Sequence, residues 1–146
     1  MSILAAIGPV WVPGDPKGQP RPRAFSRGGH ARCYDPGTAE GWKSQIAEAM
    51  RPHIPTLPLF GPIQVTIAFY MRRPKSHYGK RGLKPTAPTW HAQKPDCDNA
   101  LKAALDALTL LRVWNDDAQV AQALVSRRWE NGNGPGASIS ILQLEP

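Results

Sequence analysis

The chain has 146 residues, 41% of them hydrophobic, with 18 Lys and Arg against 11 Asp and Glu and a formal charge of +7. That length and apolar content suit one folded domain with a modest core and exclude an intrinsically disordered chain. No apolar run approaches the ~20 residues of a membrane span, and the opening "MSILAAIGPVWV" lacks the basic and small-residue features of a signal peptide, so a cytoplasmic protein without membrane association is expected. Cys33 and Cys97 are the only cysteines, which in such a compartment points to free thiols rather than a disulfide or zinc site.

The elements follow in chain order. Residues 3–12 read as a strand that Pro9 interrupts, which suits an edge or an end. Residues 13–34, "PGDPKGQPRPRAFSRGGHARCY", are rich in Pro and Gly and read as loop. A helix follows, capped by Asp35 with Pro36 at the first helical position, or by Thr38. Ala39, Trp42, Ile46, Ala49 and Met50 give it one apolar face, and Pro52 stops it. Residues 63–71, "IQVTIAFYM", alternate as a strand, with Ile63, Val65, Ile67, Phe69 and Met71 on one side. A second helix spans about residues 99–110, with a stripe of Leu101, Ala104, Leu105, Leu108 and Leu111. A strand is expected over about 118–129 and a turn at "ENGNGPG". The last strand, "ASISILQLE", reads as the hairpin partner of the one before it. Its facing is ambiguous, because Ile139 and Ile141 favour one side and Leu142 and Leu144 the other. The expected fold is α+β in a single domain over 1–146. It has a small mixed sheet of about four strands and two helices in the order β-α-β-α-β-β.

Two loops concentrate the charge. The first, 13–34, holds Lys17, Arg21, Arg23, Arg27 and Arg32 against Asp15 alone. The second, about 72–95, holds Arg72, Arg73, Lys75, Lys80, Arg81, Lys84 and Lys94 with no acid. His77, Tyr78, Trp90 and His91 are interleaved there. Loops this long in a compact domain are functional or disordered. Backbone phosphates favour such a composition, because each cationic contact releases counterions and aromatic rings stack on bases. The DNA contacts expected from these loops are Lys17, Arg21 and Arg23, and Arg72, Arg73, Lys75, Lys80 and Arg81. For Tyr78 and Trp90, stacking on bases and packing against the domain are both open. Trp11, Trp42, Trp114 and Trp129 read as core or dimer surface, and the four histidines show no metal-ligand spacing.

Against this positive background stands "KPDCDNALKAALDAL", residues 94–108. A helix start explains part of it. Asp98 is a good N-cap, an acid there suits the helix dipole, and Asp98 with Lys102 makes an ordinary i,i+4 pair. Asp96 is left over, since a second carboxylate beside the first costs repulsion unless a cation shares them. On an extended approach Asp96 and Asp98 project to one side and Cys97 to the other. Asp106 continues the Asp98–Lys102 row. Asp116 and Asp117 form a second acidic pair, which a turn alone would also explain. A helix over 99–109 is roughly 16 Å long and residues 110–116 reach up to roughly 23 Å, so the chain can return to the level of Asp98. If the two pairs meet, their hard oxygens suit Mg²⁺, which orients a water, lowers its pKa and neutralises a phosphodiester; Lys102 adds positive charge there.

"KPDCDNALKAALDALTLLRVWNDDAQV" resembles the RusA-type Holliday junction resolvases, crossover junction endodeoxyribonucleases often encoded by phages or prophages. They carry a K/R-P-D-x-D-N-x-x-K-x-x-x-D-A-L run followed by D-D-x-Q and a hydrophobic residue. Asp96, Asp98, Asn99, Lys102, Asp106, Asp117 and Gln119 fall on matching positions. "VPGDPKGQPRPR" is similar to the family's Pro/Gly/Arg-rich N-terminal segment, and "RRPKSHYGKRGLKP" to the basic loop before its acidic motif. Ala100, where a larger apolar residue is common, and Cys97, at a variable position, are mild departures. The resemblance implies a homodimeric α+β enzyme that binds four-way DNA junctions and nicks two strands symmetrically with Mg²⁺, Mn²⁺ being a substitute. Carried over by position, Asp96, Asp98, Asp117 and Lys102 are catalytic. The three aspartates are metal ligands, with Asp116 in a supporting role at most. The competing expectations are a non-catalytic branched-DNA-binding protein and a nuclease acting on flaps or forks.

Overall fold

The structure is a computed structural model, and it describes residues 2–20, 23–27, 30–34 and 39–146. Its strands are β1 (Ile3–Pro13), β2 (Arg23–Arg27), β3 (His30–Tyr34), β4 (Ile63–Met71), β5 (Tyr78–Gly79), β6 (Gly82–Leu83), β7 (Val120–Trp129) and β8 (Gly136–Leu144), and its helices are α1 (Glu40–Met50) and α2 (Cys97–Leu110). The main sheet has the order β1-β8-β4-β7. Its β1–β8 and β8–β4 ladders are antiparallel and β4–β7 is parallel. Two helices and a four-stranded mixed sheet, in the chain order expected, make the fold α+β. No described helix is long and apolar enough to cross a membrane.

β4 is central because its alternation is strict. Ile63, Val65, Ile67, Phe69 and Met71 are all buried on one face, each contributing roughly 1.5–3 kcal/mol. They pack with Ile139 and Ile141 of β8 and with Trp42, Ile46 and Met50 of α1. On β8 the Ile139/Ile141 side is therefore the core side, and Leu142 is only half-buried. Trp42, Trp114 and Trp129 are core, whereas Trp11 is exposed. β1 is an edge strand, as Pro9 suggests, with a register shift between Ile7 and Val10. Gly8 lies there at φ +88°, where a Cβ would stand 2.4 Å from the Ile139 carbonyl oxygen, so only glycine fits.

Several expectations need correction. β7 and β8 are not a hairpin: β4 lies between them. A parallel β4–β7 pair requires a crossover, and α2 is that crossover. The 13–34 segment is not all loop, since β2 and β3 pair antiparallel. The α1 N-cap is Ala39, without a side-chain bond; Asp35, Pro36 and Thr38 lie outside the described residues. The buried stripe of α2 is Ala100, Ala103, Ala104, Ala107 and Leu108, while Leu101, Leu105 and Leu111 sit at its margin. Alanines let the helix press close to its neighbours, so small residues outrank leucines as the core face.

The 72–95 connection is anchored rather than free. It holds a single 3₁₀ turn at Lys75–His77 and the β5–β6 pair. The Arg73 Nε donates to the Glu130 carbonyl at 2.8 Å and its Nη1 to the Pro88 carbonyl at 2.8 Å. The Tyr78 hydroxyl donates to Glu130 Oε1 at 3.0 Å. Residues 89–91 then run beside the end of β7 through Trp129 N–H to Thr89 O and His91 N–H to Arg127 O, which covers that stretch of an otherwise open edge.

Candidate active site

The acidic motif opens α2, but its parts divide differently from the expectation. The helix begins at Cys97, and the N-cap is Asp96, whose Oδ1 accepts from the Asn99 N–H at 3.4 Å. Asp98 is not the cap. It lies in the first turn, exposed, with no hydrogen bond or ion pair among the described residues. Because Cys97 is already helical, Asp96 and Asp98 do not project from an extended segment. Lys102 does not pair with Asp98 either: its Nζ lies 3.8 Å from Asp106 Oδ1. Lys43 of α1 approaches the other Asp106 oxygen at 3.8 Å, which ties the two helices together.

The second acidic pair does come back. At the end of α2 the Arg112 N–H donates to Thr109 O and the Val113 N–H to Leu108 O, with Arg112 at φ +65°. This Schellman arrangement turns the chain back on itself. Trp114 is buried there, its indole N–H donating to Thr109 Oγ1 at 2.8 Å. A single 3₁₀ turn, Asp117–Gln119, follows and packs on α2. Asp116 caps it through Oδ1 to the Ala118 N–H at 3.0 Å. Gln119 Oε1 accepts from the Asn115 and Asp116 N–H groups, and its Nε2 donates to the Leu59 and Gly61 carbonyls, each at 3.0 Å. One glutamine thus fastens the acidic turn to the segment that leads into β4.

Asp117 is the electrostatically stressed member. Desolvation raises its carboxyl above the ordinary range. A hydrogen bond and charge from Asp116 raise it further, Lys102 opposes this, and Asp106 adds to it. The returning turn packs against α2, and Lys102 and Asp106 are the α2 charges that act on Asp117. No three Asp, Glu, His or Cys side chains among the described residues are gathered closely enough to hold a metal as they stand. The donor chemistry nevertheless fits a hard divalent cation. The donors are carboxylate oxygens, Asp96 and Asp98 are exposed, and a cation would offset the desolvation and the Asp116 charge that raise the Asp117 carboxyl.

Lys17, Arg72 and Lys94 line clefts beside this end of α2. The Gly14–Pro20 segment docks on it: the Gln19 N–H donates to Asn99 O at 2.9 Å, and a Cβ on Gly18 would stand 2.9 Å from Pro95 Cβ. A cleft of about 660 Å³ is lined by Gly18, Gln19, Lys94, Pro95, Asp96 and Asn99. A second of about 360 Å³, sharing Gly18, Lys94 and Pro95 with it, is lined by Lys17, Arg72 and His91. Arg72 is held by Asp15, Nε to Oδ1 at 2.9 Å and Nη2 to Oδ2 at 3.3 Å; that bond raises its pKa first, and the Asp15 charge second. Lys17, Lys75, Lys80 and Arg81 are exposed, whereas Arg73 is half-buried in its carbonyl contacts. Arg21 lies outside the described residues, and for Arg23 only the strand backbone is described. Tyr78 is engaged with Glu130, and Trp90, 59% exposed, carries the Arg128 guanidinium 4.6 Å from its ring centre.

Sequence reasoning passed over Lys43 and Arg127, which no local spacing marks, and left His91 without a role. His91 is only 6% exposed and packs edge-on against Trp129. Its pKa is lowered by burial first and by the Arg127 charge second.

The chain is similar to known proteins over most of its length. A protein 34% identical over 122 residues, covering 80% of this chain and 83% of its own, is the uncharacterized protein YqaN of Bacillus subtilis (strain 168). The family model described as Endodeoxyribonuclease RusA matches residues 13–142, a stretch that takes in both acidic pairs, Lys102 and both basic loops. A carboxylate-bearing helix start beside clefts lined by Lys17, Arg72 and Lys94 is thus found on a chain that belongs to the RusA family of endodeoxyribonucleases.

Proposed function

We propose that the chain is a Mg²⁺-dependent, structure-selective endonuclease that resolves four-way DNA junctions by paired nicks, acting as a homodimer. The observation that carries this reading is the packing of the Asp117–Gln119 turn on α2, whose first turn bears Asp98 and whose cap is Asp96. Asp96, Asp98 and Asp117 would hold the cation, with Asp116 in support, and Mn²⁺ would substitute. When bound, the cation supplies a water of lowered pKa and neutralises charge on the phosphodiester.

The chain's own residues do the rest. Asp96 and Asp98 stand at a helix N-terminus, whose partial positive charge favours both the carboxylates and an incoming phosphate. Lys102 adds a cation facing the phosphate, with Asp106 holding its ammonium. Lys17, Arg21, Arg23, Arg72, Lys75, Lys80 and Arg81 contact DNA phosphates and offset the repulsion between the acids and the polyanion. Arg73 serves the same surface by holding its loop in place. Two copies related by a two-fold axis present two equivalent sites to a junction whose strands are themselves paired.

The test is nicking of a synthetic four-way junction, a flap and a linear duplex, with and without Mg²⁺, by the parent and by Asp98→Asn. The parent should nick the junction in preference to the others, only with the cation. Asp98→Asn should lose at least about a hundredfold in nicking while binding is retained. Equal nicking by the variant sinks the assignment of the site, metal-independent binding without nicking makes the chain a DNA-binding module, and preference for the flap changes the substrate.

A further inference from the structure

Residues 92–96, which lead the chain into α2, belong to no helix or strand. Backbone carbonyls in such a segment need partners from elsewhere. One side chain supplies them. Arg127 Nη1 donates to the Gln93 carbonyl at 2.6 Å and the Pro95 carbonyl at 2.5 Å, and its Nε donates to Cys97 Sγ at 3.3 Å. Nη1 also lies 2.7 Å from His91 Nδ1.

We infer that Arg127 is a positioning residue for the acidic motif: it fixes the Gln93–Cys97 approach and so sets where Asp96 and Asp98 point. The inference rests on the nuclease reading for its catalytic consequence, but not for the clamp itself. Three features support it. Arg127 is anchored by the β4–β7 ladder opposite Phe69, so its starting point is part of the sheet. Its Nε contact falls on the residue between the two acids, which fixes the rotation of the helix start about its axis. Its rigid planar fork spans two carbonyls and a sulfur together, which a lysine ammonium on a flexible stem does not reproduce. The Arg127 guanidinium is half-buried and engaged through Nε and Nη1 with this segment, unlike the exposed Lys75, Lys80 and Arg81.

The test compares the parent, Arg127→Met and Arg127→Lys by three readings. Backbone hydrogen exchange without metal should become faster in Arg127→Met at residues 93–98 while β4 and β8 keep parental rates. Turnover on the junction should fall about tenfold to a hundredfold, with the affinity for the junction within about threefold, since no phosphate contact is lost. Arg127→Lys should recover part of both effects. Faster exchange throughout the core would make Arg127 a general stability residue and overturn the inference. Parental turnover in Arg127→Met, or unchanged exchange at 93–98, would do the same. Failure of the parent itself to nick would count against the nuclease reading, and the exchange readings would still decide the clamp.

Discussion

Three carboxylates in this basic chain have three different fates, each set by what surrounds it. Asp96 caps a helix, Asp117 is crowded by other acids, and Glu130 is solvated by the protein itself. Glu130 Oε2 accepts from the Gly132 and Gly134 N–H groups at 2.9 and 3.1 Å, while Tyr78 donates to Oε1. The Gly132 bond is the main reason its pKa falls below the ordinary 4.5, burial opposing and the Tyr78 bond assisting. The folded chain therefore binds this proton less readily than the unfolded chain. Its contribution to stability is complete above the ordinary value and disappears as pH falls through the folded one. In urea unfolding between about pH 7 and pH 3, the parent should exceed Glu130→Gln by up to about 1 kcal/mol at neutral pH, with the gap closing at acid pH. A gap that ignores pH would show that the two glycine N–H groups do not discriminate the charged form. The charge pattern of residues 72–95 hid this role, because the counter-charges for that loop, Asp15 and Glu130, lie outside it.

At the scale of elements, the site depends on how α2 begins and ends. Its start is held by the Asp96 cap and by the docked Gly14–Pro20 segment; its end by the Schellman turn that sends Asp116 and Asp117 back. That turn places a non-glycine residue, Arg112, at φ +65°, where an L side chain crowds the following carbonyl. Arg112→Gly should raise stability by about 0.5–1 kcal/mol, read as a higher thermal midpoint, with nicking unchanged. A lower midpoint would mean that the Arg112 side chain contributes more than its backbone costs. The second helix was legible from its 3.6-residue period, yet its buried face was shifted by one residue. Leucine spacing reports hydrophobicity, whereas the tight packing of α2 selects alanines. The cap assignment failed for a related reason. Asp96 and Asp98 are both good capping residues, and two residues of helix decide which one is used.

Over the whole molecule, the cations of the basic loops and their neighbour Arg127 include two contrasting groups, with Arg72, exposed but paired with Asp15, between them. Lys17, Lys75, Lys80 and Arg81 are exposed, and Arg73 and Arg127 are bound to backbone carbonyls. Of these two groups, the first should show the signature of phosphate contact and the second should not. Lys80→Ala or Arg81→Ala should flatten the salt dependence of junction binding by about one unit each without shifting the thermal midpoint. Arg73→Ala should instead lower the midpoint, because it releases residues 73–88 from the Glu130 turn. If Lys80→Ala and Arg81→Ala leave the slope untouched, that tip of the loop does not reach DNA. Composition showed that a basic surface existed, but it gave Arg73 and Lys80 equal weight, since a charge in a sequence carries no record of whether its donors are already occupied.

The α+β class, the central strand at 63–71, the two helices and the acidic motif were determined by local pattern, because period, turn chemistry and motif spacing act over a few residues. The tertiary structure decided that β4 separates β7 from β8, that the Asp117–Gln119 turn packs back on α2, and that Arg127 closes on the approach to α2. Each of these joins residues far apart in the chain, and such contacts depend on ladder register and side-chain direction, which short-range periodicity does not encode.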